Sequence, residues 1–383
     1  MISKKDIQFI KEQIEFHKEP LLSVYADVNP AKPENLNNAW KIRIKNSLKD
    51  FDIPDYIKKK VFEFLDIERP SARTIAIFAA DDLIERYDLQ IDIPVVDLAN
   101  GKVDVSWGKP NVSPLIFAID EYERTGVLYL KKTGWHFYEF FLGELKELDD
   151  SFKEVSAAEW EALNNNIKEV YHDLLKSRVP THPDKFPKRV NSFVIRFYKQ
   201  LAHLVEKIIA SKEIKRLILV GPDEQTKHFA QFLSKSVRSI IISFAGDLPV
   251  QDSSTSIIYE KVNPIIEKLE RDYEKILIDE IEKSNYVSGI ENTLEALQNG
   301  RIYSLIVPWK LNVKVWSCDN GHISTSEEKV KELCGNDNIK NIDLKSIIID
   351  LALDYGAKLE FVRGDAEELL IKKYNGLVGL LRW

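Results

Sequence analysis

Apolar positions along this chain recur at two spacings, and the alternation between them predicts an α/β protein. Ile7, Ile10, Ile14 and Phe16 have near-helical spacing and stop before Pro20. Residues 21–28 read as a strand. Trp40, Ile44, Leu48 and Phe51 mark one face of a helix, 54–65 a further helix and 74–79 a buried strand, with short strands following between 86 and 107. Gly108, Pro110 and Pro114 then interrupt every regular pattern and place a domain boundary.

Beyond that boundary, 125–130 and 135–141 form a hairpin signal around Thr133-Gly134. A long connection over 152–190, with one helix expected between 157 and 175, leads to a helix over 191–210 whose apolar face is Phe193, Phe197, Leu201, Leu204 and Ile208. The run 216–220 reads as a strand that stops at Gly221-Pro222, followed by a helix over 223–233 and a strand over 237–243. Residues 244–256 read as a linker, and a long helix is expected to begin near Pro264, since proline suits the first helical position. Two helix–glycine–strand units follow, 290–307 and 344–362. The pattern predicts three α/β domains over residues 1–112, 113–250 and 257–383.

Charge changes this picture locally. The net charge of the 383-residue chain is −7, so the molecule as a whole is no polycation. Yet between 176 and 199 seven Lys or Arg side chains stand against the single Asp184, a balance of +6. Lys176, Arg178, His182, Lys185, Lys188, Arg189 and Arg196 are the candidate RNA contacts there, with Phe186, Phe193 and Tyr198 interleaved. Such a mixture grips RNA by phosphate contact and stacking, although charge runs commonly serve only to solvate a face. In the first domain Lys41, Lys45 and Lys49 recur every four residues and form a second candidate set. By contrast, residues 260–295 carry ten acidic and five basic side chains.

Catalytic chemistry is hard to assign. Neither a dinucleotide-binding nor a Walker fingerprint occurs, no nucleophile–base pair stands out, and no cofactor is expected. Cys318, His322 and Cys334 lack a clear fourth ligand for a structural zinc site, so no metal is expected. Two cysteines in so long a chain suit a reducing, cytoplasmic setting, and no apolar run approaches membrane-spanning length.

Several phrases and their order resemble the superfamily of archaeal and eukaryotic peptide-chain release factors and Pelota, in a bacterial branch. They are residues 22–28, the strand–turn–strand 127–142 with Gly143-Glu144, and 217–223. Residues 287–291, 299–301, 362–365 and the final 379–383 continue the series. The resemblance implies an N-terminal α/β domain, a ribonuclease-H-like central domain and an L7Ae-like C-terminal domain, in a protein that enters the ribosomal A site. It implies contacts with rRNA or tRNA and delivery by a translational GTPase such as elongation factor Tu, while the absence of a membrane-spanning apolar run gives no expectation of a membrane partner.

Release factors of this superfamily hydrolyse peptidyl-tRNA with a Gly-Gly-Gln loop, in which glycine lets the backbone approach the ester. This sequence has no Gly-Gly dipeptide, and residues 144–220 contain no glycine. Expected, therefore, is a ribosome-binding factor with no catalytic residues, acting in stalled-ribosome rescue or in dormancy, as the hibernation factor Balon does. Three rivals remain: a hydrolase using another loop such as Asn164-Asn165-Asn166, a nuclease drawing on Glu139 and Glu144, and a standalone binding scaffold.

Overall fold

The computed structural model describes all residues except 1–3, 19, 68–69, 71, 94–95, 97, 99–100, 132–133, 151, 154–157, 160, 162, 164–185, 249–253 and 336–337, and only the backbone at 4–5, 120–121 and 186–193. The chain forms two compact units, residues 122–267, and residues 2–121 together with 268–383. Three separate sheet-and-helix cores lie within them, so the mixed α/β, three-domain class read from the sequence is the observed one.

The N-terminal core is a sheet of β1 (Leu21–Asp27), β2 (Thr74–Ala79), β3 (Ile84–Leu89) and β4 (Val103–Gly108), in the order β3-β2-β1-β4 and antiparallel throughout. All seven residues of β1 are buried. Val24, Ala26, Ile75 and Ile77 face Trp40 and Ile44 of the Ala39–Ser47 helix and Ile57, Val61 and Leu65 of the Asp55–Ile67 helix.

The central core contains β5 (Thr125–Lys131), β6 (Gly134–Phe141), β7 (Glu144–Glu147), β8 (Arg216–Val220) and β9 (Ile241–Phe244). Their order is β7-β6-β5-β8-β9. The first three form an antiparallel meander, while β8 runs parallel to both β5 and β9, the ribonuclease-H-like arrangement. Successive residues alternate between faces. Leu128, Phe137, Leu217 and Leu219 face the Phe186–Lys212 helix through Leu201, Leu204, Val205 and Ile208. Val127, Tyr138, Ile218 and Val220 face Ile258, Val262 and Ile266. Burial on both sides explains why 216–220 is a continuous apolar run rather than an alternating one. Gly221 ends β8 with φ +138°, where a Cβ would lie 2.5 Å from the Leu130 carbonyl oxygen.

Two expectations fail here for physical reasons. The long helix spans Thr255–Ile281, so Pro264 lies inside it and not at its start. An internal proline costs about 3 kcal/mol, and burial of Ile258, Val262 and Ile266 at four-residue intervals offsets that loss. Val237 belongs to the short Lys235–Ser239 helix, not to a strand, because the Ser234 hydroxyl caps it by accepting from the Val237 amide at 3.4 Å.

The C-terminal core is a sheet of β10 (Tyr286–Ser288), β11 (Ile302–Pro308), β15 (Lys358–Val362) and β16 (Val378–Leu381), ordered β10-β16-β11-β15. Between β11 and β15 the chain adds a smaller antiparallel sheet of β12 (Lys314–Ser317), β13 (Ile323–Ser324) and β14 (Lys340–Asp343), with the Glu327–Cys334 helix between its last two strands. Leu277, Ile278 and Ile281 of the long helix pack with Ile306, Val362 and Leu370 on one face. The Ile290–Gln298 helix and the Ile348–Asp354 helix bury Leu294, Leu297, Ile348 and Ala352 with Leu305 and Val307 on the other.

Glu291 ties this added sheet to its neighbour. Its carboxylate accepts from the Thr325 amide at 2.7 Å, the Ser324 hydroxyl at 2.9 Å and Lys329 Nζ at 2.9 Å. Burial pushes the carboxyl up, but the bonds from Thr325, Lys329 and Ser324 more than offset that and hold it at about 2, below its ordinary 4.5. A depressed folded-state pKa contributes stability that is present above about 4.5 and lost as pH falls toward 2. Urea midpoints measured at pH 5 and pH 3 should therefore fall on acidification, and Glu291→Gln should reduce that fall. Replacing Ile258, which is fully buried, with Ala should destabilise the 122–267 unit by about 2–4 kcal/mol in the same assay.

Candidate nucleic-acid interface

Packing of the Phe186–Lys212 helix sorts its residues by chemistry. Tyr198, Leu201, Ala202, Val205 and Ile209 are buried against the sheet and its covering helices. Arg196, Lys199, Gln200 and His203, at i, i+3, i+4 and i+7, are exposed on the other side. Positions 189, 196 and 203 are seven apart and therefore lie along one stripe of this helix. Among the described residues no ion pair engages Arg196 or Lys199.

Beneath this face lies a cluster of rings. Tyr198 meets Phe229, Phe232 and His228 edge-on at centroid distances of 5.5–5.7 Å. Burial pushes the Tyr198 phenol above its ordinary value, so it stays neutral and serves as packing. The same cluster sets the Asp223–Ala230 helix against the basic helix. Next to it, Glu206 accepts from the Ser234 amide at 2.6 Å and so fixes the start of the Lys235–Ser239 helix, whose Lys235 and Arg238 are exposed. These two cations were not singled out from sequence. Their signal is the alternation Ser234-Lys235-Ser236-Val237-Arg238-Ser239, which looks like a strand until its serine cap is recognised.

Other candidates stand differently. Lys176, Arg178, His182 and Lys185 lie outside the described residues, as does the Asn164–Asn166 tract. Lys188 and Arg189 fall in the first turn of the Phe186–Lys212 helix, which starts earlier than the apolar pattern alone indicates. In the N-terminal core, Lys41 donates to Asp66 Oδ1 at 3.1 Å and lies over the Trp40 ring, and Lys45 lies 5.2 Å over the Phe62 ring. The Lys41 hydrogen bond and the charge of Lys45 together hold the Asp66 carboxyl below its ordinary range. Both lysines thus turn toward the neighbouring helix, while Ile42, Asn46 and Lys49 form the exposed face. Lys49 donates to Asn46 at 3.2 Å.

Of the two central-sheet carboxylates considered for a nuclease, Glu139 is committed to packing. Glu139 is buried and takes a 2.5 Å bond from Arg124, whose guanidinium lies 4.0 Å over Phe141. Among the described residues no group of three His, Cys, Asp or Glu side chains is placed to hold a metal ion. Cys318 and Cys334 are joined in a disulfide across 16 residues, tying the end of β12 to the last turn of the Glu327–Cys334 helix. The pair is thus a covalent brace, a pairing that the reading of these cysteines as suited to a reducing setting does not anticipate. Closing a loop of that length stabilises by about 3 kcal/mol. Reduction with dithiothreitol should therefore lower the unfolding midpoint of the native chain, and should leave a Cys318→Ser/Cys334→Ser double variant unchanged.

Comparison with known proteins follows the same division of the chain. Residues 123–259, which include the whole five-stranded sheet and the basic helix, match bacterial archaeo-eukaryotic release factor family 5. The chain is similar to eukaryotic peptide chain release factor subunit 1-1 of Arabidopsis thaliana, with 25% identity over 289 residues. That similarity covers 63% of this chain and 65% of the relative, so the chain spans less than two thirds of that relative's length. Among solved structures, an archaeal translation termination factor, aRF1, aligns over 100% of this chain and 99% of its own at 13% identity, with a TM-score of 0.25. Archaeoglobus fulgidus Pelota aligns over 81% of this chain and 79% of its own at 13% identity, with a TM-score of 0.33.

Proposed function

We propose that this chain, a member of the superfamily of archaeal and eukaryotic peptide-chain release factors and Pelota, occupies the ribosomal A site and leaves peptidyl-tRNA intact. The observation that carries the reading is the exposed basic face of the central unit, set by a helix whose opposite face is committed to the sheet. Arg196, Lys199, Lys235 and Arg238 present charge within the segment that matches the release factor family. Phosphate neutralisation by such a face supplies affinity without base readout, as a ribosome-binding surface requires.

The second half of the proposal rests on backbone chemistry. Ester hydrolysis in this superfamily needs consecutive glycines that come close to the substrate, and this chain has none. Without them the protein holds its site and blocks it, which suits a dormancy or rescue factor. Residues 176–185, with Lys176, Arg178 and Lys185 against Asp184 and with His182 beside them, extend the same positive charge in sequence. The acidic stretch 260–295 is suited to contact proteins, among them a translational GTPase such as elongation factor Tu.

Charge reversal tests the binding half. Arg196→Glu with Lys199→Glu should weaken binding to purified ribosomes at least tenfold in filter binding at moderate salt. The slope of log affinity against log salt should fall by about 2, one for each lost phosphate contact. Circular dichroism should be unchanged, since both side chains are exposed. Unaltered affinity and slope would remove the basic helix from the interface. For the second half, ribosomes carrying labelled peptidyl-tRNA should release no peptide above background when the protein is added. Release at a rate that depends on Asn164–Asn166 would make it a hydrolase instead.

A further inference from the structure

Within the unit formed by residues 2–121 and 268–383, a cavity of about 360 Å³ opens between the loops of the N-terminal sheet and those of the C-terminal sheet. Its two sides are held in register by polar clasps. Lys345 Nζ bonds Asp104 Oδ2 at 2.8 Å with both side chains largely buried, and Asp350 receives Lys109 at 3.1 Å and the Ser113 hydroxyl. Phe117 packs edge-on against Phe361 at 4.9 Å beside them. The crevice is therefore a built feature of one compact unit.

Its walls have distinct chemistry. On one side Trp309 carries the Arg363 guanidinium stacked 3.3 Å above its ring centroid. Arg363 is itself positioned through its amide, which donates to the buried Glu274 at 3.1 Å. Opposed to this stack in character are Ile93, Val96, Leu98 and Leu311, which make part of the lining apolar. At the rim Lys310 is exposed, and its amide is tied to Glu367 at 2.8 Å. Asp27, the last residue of β1, is already neutralised by Lys32 and bonded by Asn35 Nδ2 at 2.8 Å, so it is committed within the chain and not to a ligand.

A planar π–guanidinium wall, an apolar slot and a rim cation are the parts that recognise a flat heteroaromatic ring bearing an acidic group. The volume falls in the range of ordinary small-molecule sites. We propose that this crevice binds a mononucleotide, its base in the slot beside the Trp309–Arg363 stack and its phosphate at Lys310. Binding there contacts both halves of the unit and so favours the clasped arrangement over any in which the halves separate. The assignment does not depend on ribosome binding.

Equilibrium dialysis of the full chain against GMP and AMP, with inorganic phosphate in a parallel series, tests it. Expected are one saturable nucleotide site per chain, binding of phosphate at least tenfold weaker, and a loss of at least tenfold in Lys310→Glu. Trp309→Leu should weaken nucleotide binding as well, and Lys310→Glu, at an exposed position, keeps the test sound if Trp309→Leu fails to fold. Saturable binding of neither nucleotide overturns the proposal. So does phosphate binding as tight as nucleotide binding, or nucleotide affinity unchanged in Lys310→Glu.

Discussion

Both faces of the five-stranded sheet must be covered, and that requirement governs how the central unit presents itself. β5, β6 and β8 bear large apolar side chains on each side, so a helix layer is needed above and below. The Phe186–Lys212 helix supplies one layer and the first half of the Thr255–Ile281 helix the other. Because the basic helix commits Leu201, Leu204, Val205 and Ile208 to the sheet, Arg196, Lys199 and His203 have nowhere to go but outward. Local charge thus becomes a surface through packing, without any specific interaction among the cations.

The same logic separates charge that is available from charge that is spent. Lys41 and Lys45 belong to a regular basic pattern, yet the approach of the Asp55–Ile67 helix supplies Asp66 and Phe62 as intramolecular partners. An exposed pair of this kind is worth little in stability, but it keeps each cation occupied. Lys235 and Arg238 show the reverse. They belong to no long charge run, and the Glu206–Ser234 bond brings their helix beside the basic one.

Much of the fold was legible because it depends on long, regular patterns. The 125–141 hairpin, the 216–220 strand and the apolar face from Phe197 to Ile208 were each readable from spacing, and each is observed. What escaped has local causes. β12, β13 and β14 are two to four residues long, too short for periodicity to register. Pro264 misled because sequence cannot weigh one missing hydrogen bond against the burial of three isoleucine and valine side chains. The cysteine pair was read for ligand count, whereas the turn at Cys318–His322 and the helix ending at Cys334 bring the sulfurs together. The Phe186–Lys212 helix is readable from its apolar spacing, whereas the five-residue Lys235–Ser239 helix is too short for that signal.

We propose that a basic face built by sheet packing holds this protein in the ribosomal A site. Electron cryomicroscopy of the full chain bound to purified ribosomes tests it most directly. Density is expected in the A site with the 186–212 helix and the Lys235–Ser239 helix against rRNA or tRNA. Density elsewhere on the ribosome, or A-site density in which that face points to solvent, would contradict it.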